Sequence, residues 1–256
     1  MAFKRVIAVL TVLNGHLVKS YGYDYYRPAG SLHTALKEVD NWGVDEILVL
    51  DISRRGSIDP LIVREIRESR VSSPIIYGGG IRGICDIQTL LGAGCERFIL
   101  ETLYLASPDT VKRISNLVGG QALILSVPLV SRADQGLFLR APSTSGGSTL
   151  IALDRIAESV ATSPASEIMV IDVAAEGYSG AFGLTSSCRI ELIEASKGII
   201  WFGGIDGAIA DRLLARRSTV GVAFGNVCTE KELAILRLRR GMTKRAQQRY
   251  LRRLRL

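Results

Sequence analysis

The chain repeats itself. Residues 46–52 read Glu-Ile-Leu-Val-Leu-Asp-Ile, and residues 167–173 read Glu-Ile-Met-Val-Ile-Asp-Val. Each run is followed by a glycine turn, Tyr77-Gly78-Gly79-Gly80-Ile81-Arg82-Gly83 after the first and Phe202-Gly203-Gly204-Ile205-Asp206-Gly207 after the second. The offsets, 121 and 124 residues, are close to half of the 256-residue chain. Two copies of a strand–helix–strand–glycine-turn unit in one chain imply a ring closed from two similar halves.

Eight short apolar runs rich in Val, Ile and Leu fall at 5–12, 46–52, 74–78, 97–101, 122–128, 167–173, 199–203 and 220–224. Continuous apolar strands, as opposed to alternating ones, are buried on both faces, so the sheet is parallel and covered by helices. Amphipathic stretches at 31–42, 59–68, 85–93, 108–116, 149–162, 185–196 and 207–216 supply those helices, and Ser107-Pro108-Asp109 reads as a helix start. The expected fold is a single (β/α)8 barrel, with half-barrels at about 1–120 and 121–230. Two long gaps follow the first and fifth strands, 13–30 and 131–148. Both are expected to be loops, the second Gly/Ser-rich and partly ordered.

Charge is concentrated at one end. Residues 231–256 hold ten Lys or Arg and one acid, a net +9, so residues 1–230 carry −2 of the whole-chain +7. The basicity belongs to a C-terminal helical extension and does not cover the body as a nucleic-acid footprint would. Nucleic acid is therefore not an expected partner. No apolar run reaches the ~20 residues that span a bilayer, and a cytoplasmic location is expected. Four scattered cysteines (Cys85, Cys95, Cys188, Cys228) without CxxC spacing read as reduced thiols. With only His16 and His33 present, no metal site is expected, and no cofactor.

Gly78-Gly79-Gly80-Ile81-Arg82-Gly83 satisfies the dinucleotide-binding pattern G-x-G-x-x-G. Its truncated recurrence at 203–204, and its place at the third strand, point instead to two equivalent anion sites, or to turns whose glycines serve packing alone.

Asn14-Gly15-His16-Leu17-Val18-Lys19, Asp45-Glu46-Ile47-Leu48-Val49-Leu50-Asp51-Ile52, Tyr77-Gly78-Gly79-Gly80-Ile81-Arg82 and Phe202-Gly203-Gly204 together resemble the cyclase subunit of imidazole glycerol phosphate synthase, over residues 3 to 230. The resemblance implies a twofold-repeated barrel with two phosphate sites on its loop face. These map to Gly79, Gly80, Thr102, Gly177, Gly203, Gly204 and Gly225. It also implies a glutaminase subunit docked at the opposite end, whose ammonia crosses the barrel. The family's two catalytic aspartates fall on Thr11 and Pro128, neither a carboxylate. Glu101 and Glu176 also replace family residues at the active face, and Lys19, Asp51 and Asp172 are the remaining ionisable groups there. By the same resemblance, Arg5, Glu46, Arg97 and Glu167 occupy the charged ring that gates the ammonia passage, and Glu96 faces the glutaminase. The pattern is similar to paralogues that serve an ATP-dependent amidotransferase in bacterial surface-sugar biosynthesis. An active cyclase (a lyase of histidine biosynthesis) is the alternative, and a phosphorylated small molecule the corresponding ligand.

Overall fold

The structure is a computed structural model that describes residues 3–53, 56–132, 136–142, 147–184, 190–194, 197–229 and 241–243. In chain order the strands are β1 (Arg5–Leu13), β2 (His16–Tyr21), β3 (Tyr25–Gly30), β4 (Glu46–Asp51), β5 (Ile75–Gly78) and β6 (Cys95–Leu100). They continue with β7 (Leu123–Arg132), β8 (Gly136–Pro142), β9 (Ser148–Ala152), β10 (Glu167–Asp172), β11 (Gly198–Phe202) and β12 (Thr219–Phe224). Eight of them pair in parallel in the order β1, β4, β5, β6, β7, β10, β11, β12, and β12 returns to β1. The chain therefore forms a closed (β/α)8 barrel.

The helices are α1 (Leu32–Asn41), α2 (Pro60–Ser69), α3 (Ile84–Gly92), α4 (Leu103–Ala106), α5 (Pro108–Val118), α6 (Leu153–Thr162), α7 (Glu191–Glu194) and α8 (Gly207–Ala215). Their starts follow local chemistry. Ser31 accepts from the Thr34 amide ahead of α1, and Asp59 from the Leu61 amide ahead of α2, whose first residue is Pro60. At α5 the Ser107 hydroxyl bonds the Thr110 hydroxyl instead of capping an amide.

Strand alternation sorts the apolar side chains into two layers. Val6, Ala8, Leu10, Ile47, Val49 and Leu125 face outward to the helices. Ile7, Val9, Leu48, Leu50, Ile99, Ile124, Met169 and Phe202 face inward and fill the barrel. At the foot, the Lys4 ammonium donates to the carbonyls of Leu214 and Arg216 at 2.7 and 2.6 Å, tying the first strand to the end of α8.

Two expectations about the long gaps are corrected. Residues 13–30 contain an antiparallel hairpin, β2 with β3, attached to β1. Residues 131–148 contain the end of β7, the strand β8, and the start of β9, again antiparallel. The helix expected from 149 starts at Leu153 because 148–152 is β9. On β8, Leu137, Leu139 and Ala141 are buried alternately, a period of two that glycine and serine content obscured. The hairpins follow the first and fifth barrel strands, so the twofold repetition extends to the loops. Of the helix expected over 185–196, residues 191–194 are helical, while 185–189 and 195–196 lie outside the described residues. So does the basic extension apart from Gly241–Thr243. Met242 is buried there, and the Thr243 amide donates to Asp211 of α8 at 2.7 Å. Among the described residues Cys85 is an exposed free thiol, Cys95 and Cys228 are buried free thiols, and no helix is long and apolar enough to cross a membrane.

Candidate functional site: a charged foot and a covered mouth

Arg5, Glu46, Arg97 and Glu167 share the inward register of the core residues two positions further along their strands. They meet in one closed ring. Arg5 reaches Glu46 at 3.1 Å and Glu167 at 2.7 Å, and Arg97 reaches Glu46 at 3.0 Å and Glu167 at 2.7 Å. Arg97 also donates from Nε to the Gln121 carbonyl at 3.2 Å. Every carboxylate of the ring thus lies between two guanidiniums, which is how charges persist at the edge of an apolar interior. Burial pushes the Glu46 carboxyl above the usual carboxylate range, while Arg5 and Arg97 pull it back. Arg5 is correspondingly held more firmly protonated: burial opposes its charge, but Glu46 and Glu167 outweigh that. Glu96, next to Arg97 on β6, is exposed.

At the opposite end Thr11 is buried with the inward parity of Ile7 and Val9. Pro128, buried on β7 with the parity of Ile124, pairs with Ile171 of β10. No carboxylate stands at either position. Glu101, immediately after β6 and with the parity of inward Ile99, accepts from the Ser126 hydroxyl at 3.1 Å. Asp51 and Asp172 have the outward parity. Asp51 accepts from the Ser53 amide at 2.9 Å and from its hydroxyl; Asp172 accepts from the amides of Ala175 at 3.2 Å and Gly183 at 2.9 Å. These two aspartates fasten their own loops and do not face the lumen. Lys19 is half-buried on β2, opposite Arg27 of β3.

The mouth is covered. Tyr23, at the turn between β2 and β3, has φ +55° and packs its ring against the inward apolar cluster. Its hydroxyl is buried and has no hydrogen-bond partner among the described residues. Burial, and then the nearby Glu176 and Glu101, drive that phenol well above its ordinary range. Glu176, from the loop after β10, holds the hairpin. Its carboxylate accepts from the Ser20 hydroxyl at 2.9 Å and the Tyr23 amide at 3.4 Å, and its carbonyl accepts from the Gly22 amide at 2.9 Å. From the other hairpin, Arg140 of β8 donates to the Gly22 carbonyl at 3.0 Å. In the sequence Glu176 stands out only as a replaced residue, and Tyr23 and Arg140 do not stand out at all. The one available signal is that four of the chain's eight tyrosines fall within residues 21–26.

The glycine turns match across the halves. Gly79 and Gly80 have φ of +110° and +68°, and Gly203 and Gly204 have +101° and +67°. A Cβ on Gly79 would lie 2.0 Å from the Asp51 carbonyl oxygen, and one on Gly203 would lie 2.4 Å from that of Asp172. Gly177 has φ +85° and presses on the Ser20 carbonyl; Gly225 lies against the Phe202 ring; Thr102 precedes α4 without capping it through its side chain. Packing therefore requires the paired glycines. At the first turn, the amides of Arg82 and Gly83 donate to the Asp86 carboxylate at 2.7 and 3.2 Å, so an internal anion already engages these two donors. Among the described residues no group of three or more His, Cys, Asp or Glu is placed to hold a metal.

Comparison with known proteins agrees with this architecture. The family model described as "Histidine biosynthesis protein" matches residues 5–232. The imidazole glycerol phosphate synthase subunit HisF of Beutenbergia cavernae is 29% identical over 203 residues, which is 77% of this chain and 77% of that protein. With a closed eightfold barrel and a match over most of its length, the chain belongs to the histidine-biosynthesis protein family of HisF-like barrels.

Proposed function

We propose that this barrel docks a glutaminase subunit at its foot and conducts the released ammonia along its axis, without performing cyclase chemistry itself. The observation that carries the reading is the closed Arg5–Glu46–Arg97–Glu167 ring at one end, combined with Thr11 and Pro128 at the other. Neutral ammonia is small and crosses an apolar interior at modest desolvation cost, so the column of Ile7, Val9, Leu48 and Ile99 is compatible with passage. A charged ring at the entry admits a polar molecule by rearranging its ion pairs. Exposed Glu96 beside it belongs to the docking surface. The acceptor is an ATP-dependent amidotransferase acting on a bacterial surface sugar, in the cytoplasm. Residues 1–230 are the working barrel, with 231–256 as additional docking surface.

A second reading, an active cyclase, is favoured by Glu101 and Glu176, which supply carboxylates at the mouth. General acid–base catalysis needs such groups within reach of substrate. Glu101 accepts from Ser126, and Glu176 is engaged in holding the hairpin. The distinguishing experiment is a direct assay of imidazole-ring formation by the purified chain with saturating ammonia. We expect no turnover. Turnover lost on Glu101→Gln, or on Asp51→Asn, would establish the cyclase reading instead.

A further inference from the structure

We propose that Tyr23 is the outlet gate of the passage, a stopper on a hinged hairpin that closes the barrel mouth and is held ready to leave it. The inference rests on the ammonia-conducting reading for what the outlet releases, but its geometry stands independently. The ring of Tyr23 sits on the inward apolar column, at the end opposite the charged ring. Four residues hold it there. The Asn226 side chain accepts from the Ser20 amide at 3.1 Å and donates to the Ser20 carbonyl at 2.7 Å. Glu176 anchors Ser20, Gly22 and Tyr23, and Arg140 reaches across from the second hairpin to the Gly22 carbonyl. Within the hairpin, the Tyr26 hydroxyl donates to the Tyr23 carbonyl at 2.7 Å.

The closed position leaves one polar group unsatisfied. The Tyr23 hydroxyl is buried and finds no partner among the described residues, although it can both donate and accept. Swinging outward would return it to water. An unsatisfied buried hydroxyl therefore biases the gate towards opening, while the buried ring and the Glu176 and Arg140 contacts bias it towards closure. The hinge has the required backbone. Gly22 and Tyr23 both have positive φ, at +63° and +55°, and Gly30 at the far end of β3 has +107°. Movement is confined to the tip of the hairpin: Leu17, Val18 and Ser20 of β2 are buried, whereas Tyr25 beyond them is 54% exposed.

The test uses the whole chain carrying Thr11→Cys, which places a thiol on the inward face of β1 at mouth level, with Cys85→Ser and Cys188→Ser to remove the exposed thiol and the one outside the described residues. Cys95 and Cys228 are buried, and burial pushes both thiols up to about 12, so they stay silent. Labelling by a small methanethiosulfonate is followed with time. Tyr23→Ala removes the stopper and should speed labelling about tenfold or more. Arg140→Ala loosens the latch without touching Tyr23 and should speed it several-fold. Tyr23→Phe keeps the ring and removes the unpaired hydroxyl, so it should label more slowly than the parent and melt at a higher temperature. Circular dichroism checks that each variant is folded. The proposal is overturned if the alanine variants label at the parental rate, or if Tyr23→Phe labels faster. Labelling needs no glutaminase, so a failure here is distinct from a failure to stimulate one.

Discussion

Replacing Arg97 with methionine should destabilise the chain by about 3–5 kcal/mol, because it removes one partner of a buried ion-pair network and leaves the others behind. Glu46 would lose its 3.0 Å contact and Glu167 its 2.7 Å contact, leaving two carboxylates to share Arg5. For a domain of this length the change corresponds to a melting-temperature drop of roughly 6–20 °C. The deficit should depend on pH. The Glu46 carboxyl is already raised from its ordinary 4.5 by burial, and losing Arg97 raises it further. A carboxyl raised in the folded state costs stability as pH climbs from the unfolded value through the folded one, so the deficit should shrink on acidification and be largest at neutral pH. Thermal melts of Arg97→Met between pH 4.5 and 8 check this. Glu46→Leu in the same background should recover more than about 1 kcal/mol, since it removes the stranded charge as well. An Arg97→Met variant as stable as the parent at pH 8 would mean that the ring is only four solvated rim charges.

Gly79→Ala and Gly203→Ala should each cost about 3–5 kcal/mol, and by similar amounts. Each combines a φ that side chains rarely adopt, +110° or +101°, with a Cβ forced to 2.0 or 2.4 Å from a carbonyl oxygen. Backbone is met in both cases, so no side chain can swing aside to relieve the contact. Gly92→Ala serves as a control. Gly92 ends α3, a Cβ there would meet nothing within 4 Å, and the substitution should leave stability unchanged or raise it by a few tenths of a kcal/mol. Denaturant midpoints of the three variants make the comparison. Equal midpoints for Gly79→Ala and Gly92→Ala would show that the turn relaxes. Unequal costs for the two halves would show that their structural equivalence is not energetic.

The sequence is most readable where burial is continuous. Apolar runs such as Ile47–Leu50 can satisfy their surroundings only in a two-sided parallel sheet, and seven of the eight expected strands lie within two residues of those observed. The exception, β7, runs on to Arg132, past the expected end at 128, because its pairing partner β8 lies in a segment whose glycines and serines mask alternating Leu137, Leu139 and Ala141. The foot ring is legible through its resemblance to a known charged ring; charges preceding apolar runs support the register but cannot show that four strands bring them together. Tyr23, Glu176 and Arg140 cannot be connected from the sequence. Their contacts join residues 118 to 156 positions apart through hairpins that look like loops, and no local pattern encodes such a meeting. Asp51 stands at a strand end as expected, but one residue of alternation turns its carboxylate away from the lumen and towards Ser53.

Whether this barrel docks and serves a glutaminase is read from glutamate release by its cognate glutaminase, measured with and without the barrel. The purified barrel should raise the rate, Glu96→Lys at the exposed foot should lower the apparent affinity of the pair, and Thr11→Ala at the mouth should leave the stimulation intact. A glutaminase rate unchanged by the barrel, and equally indifferent to Glu96→Lys, would contradict that role.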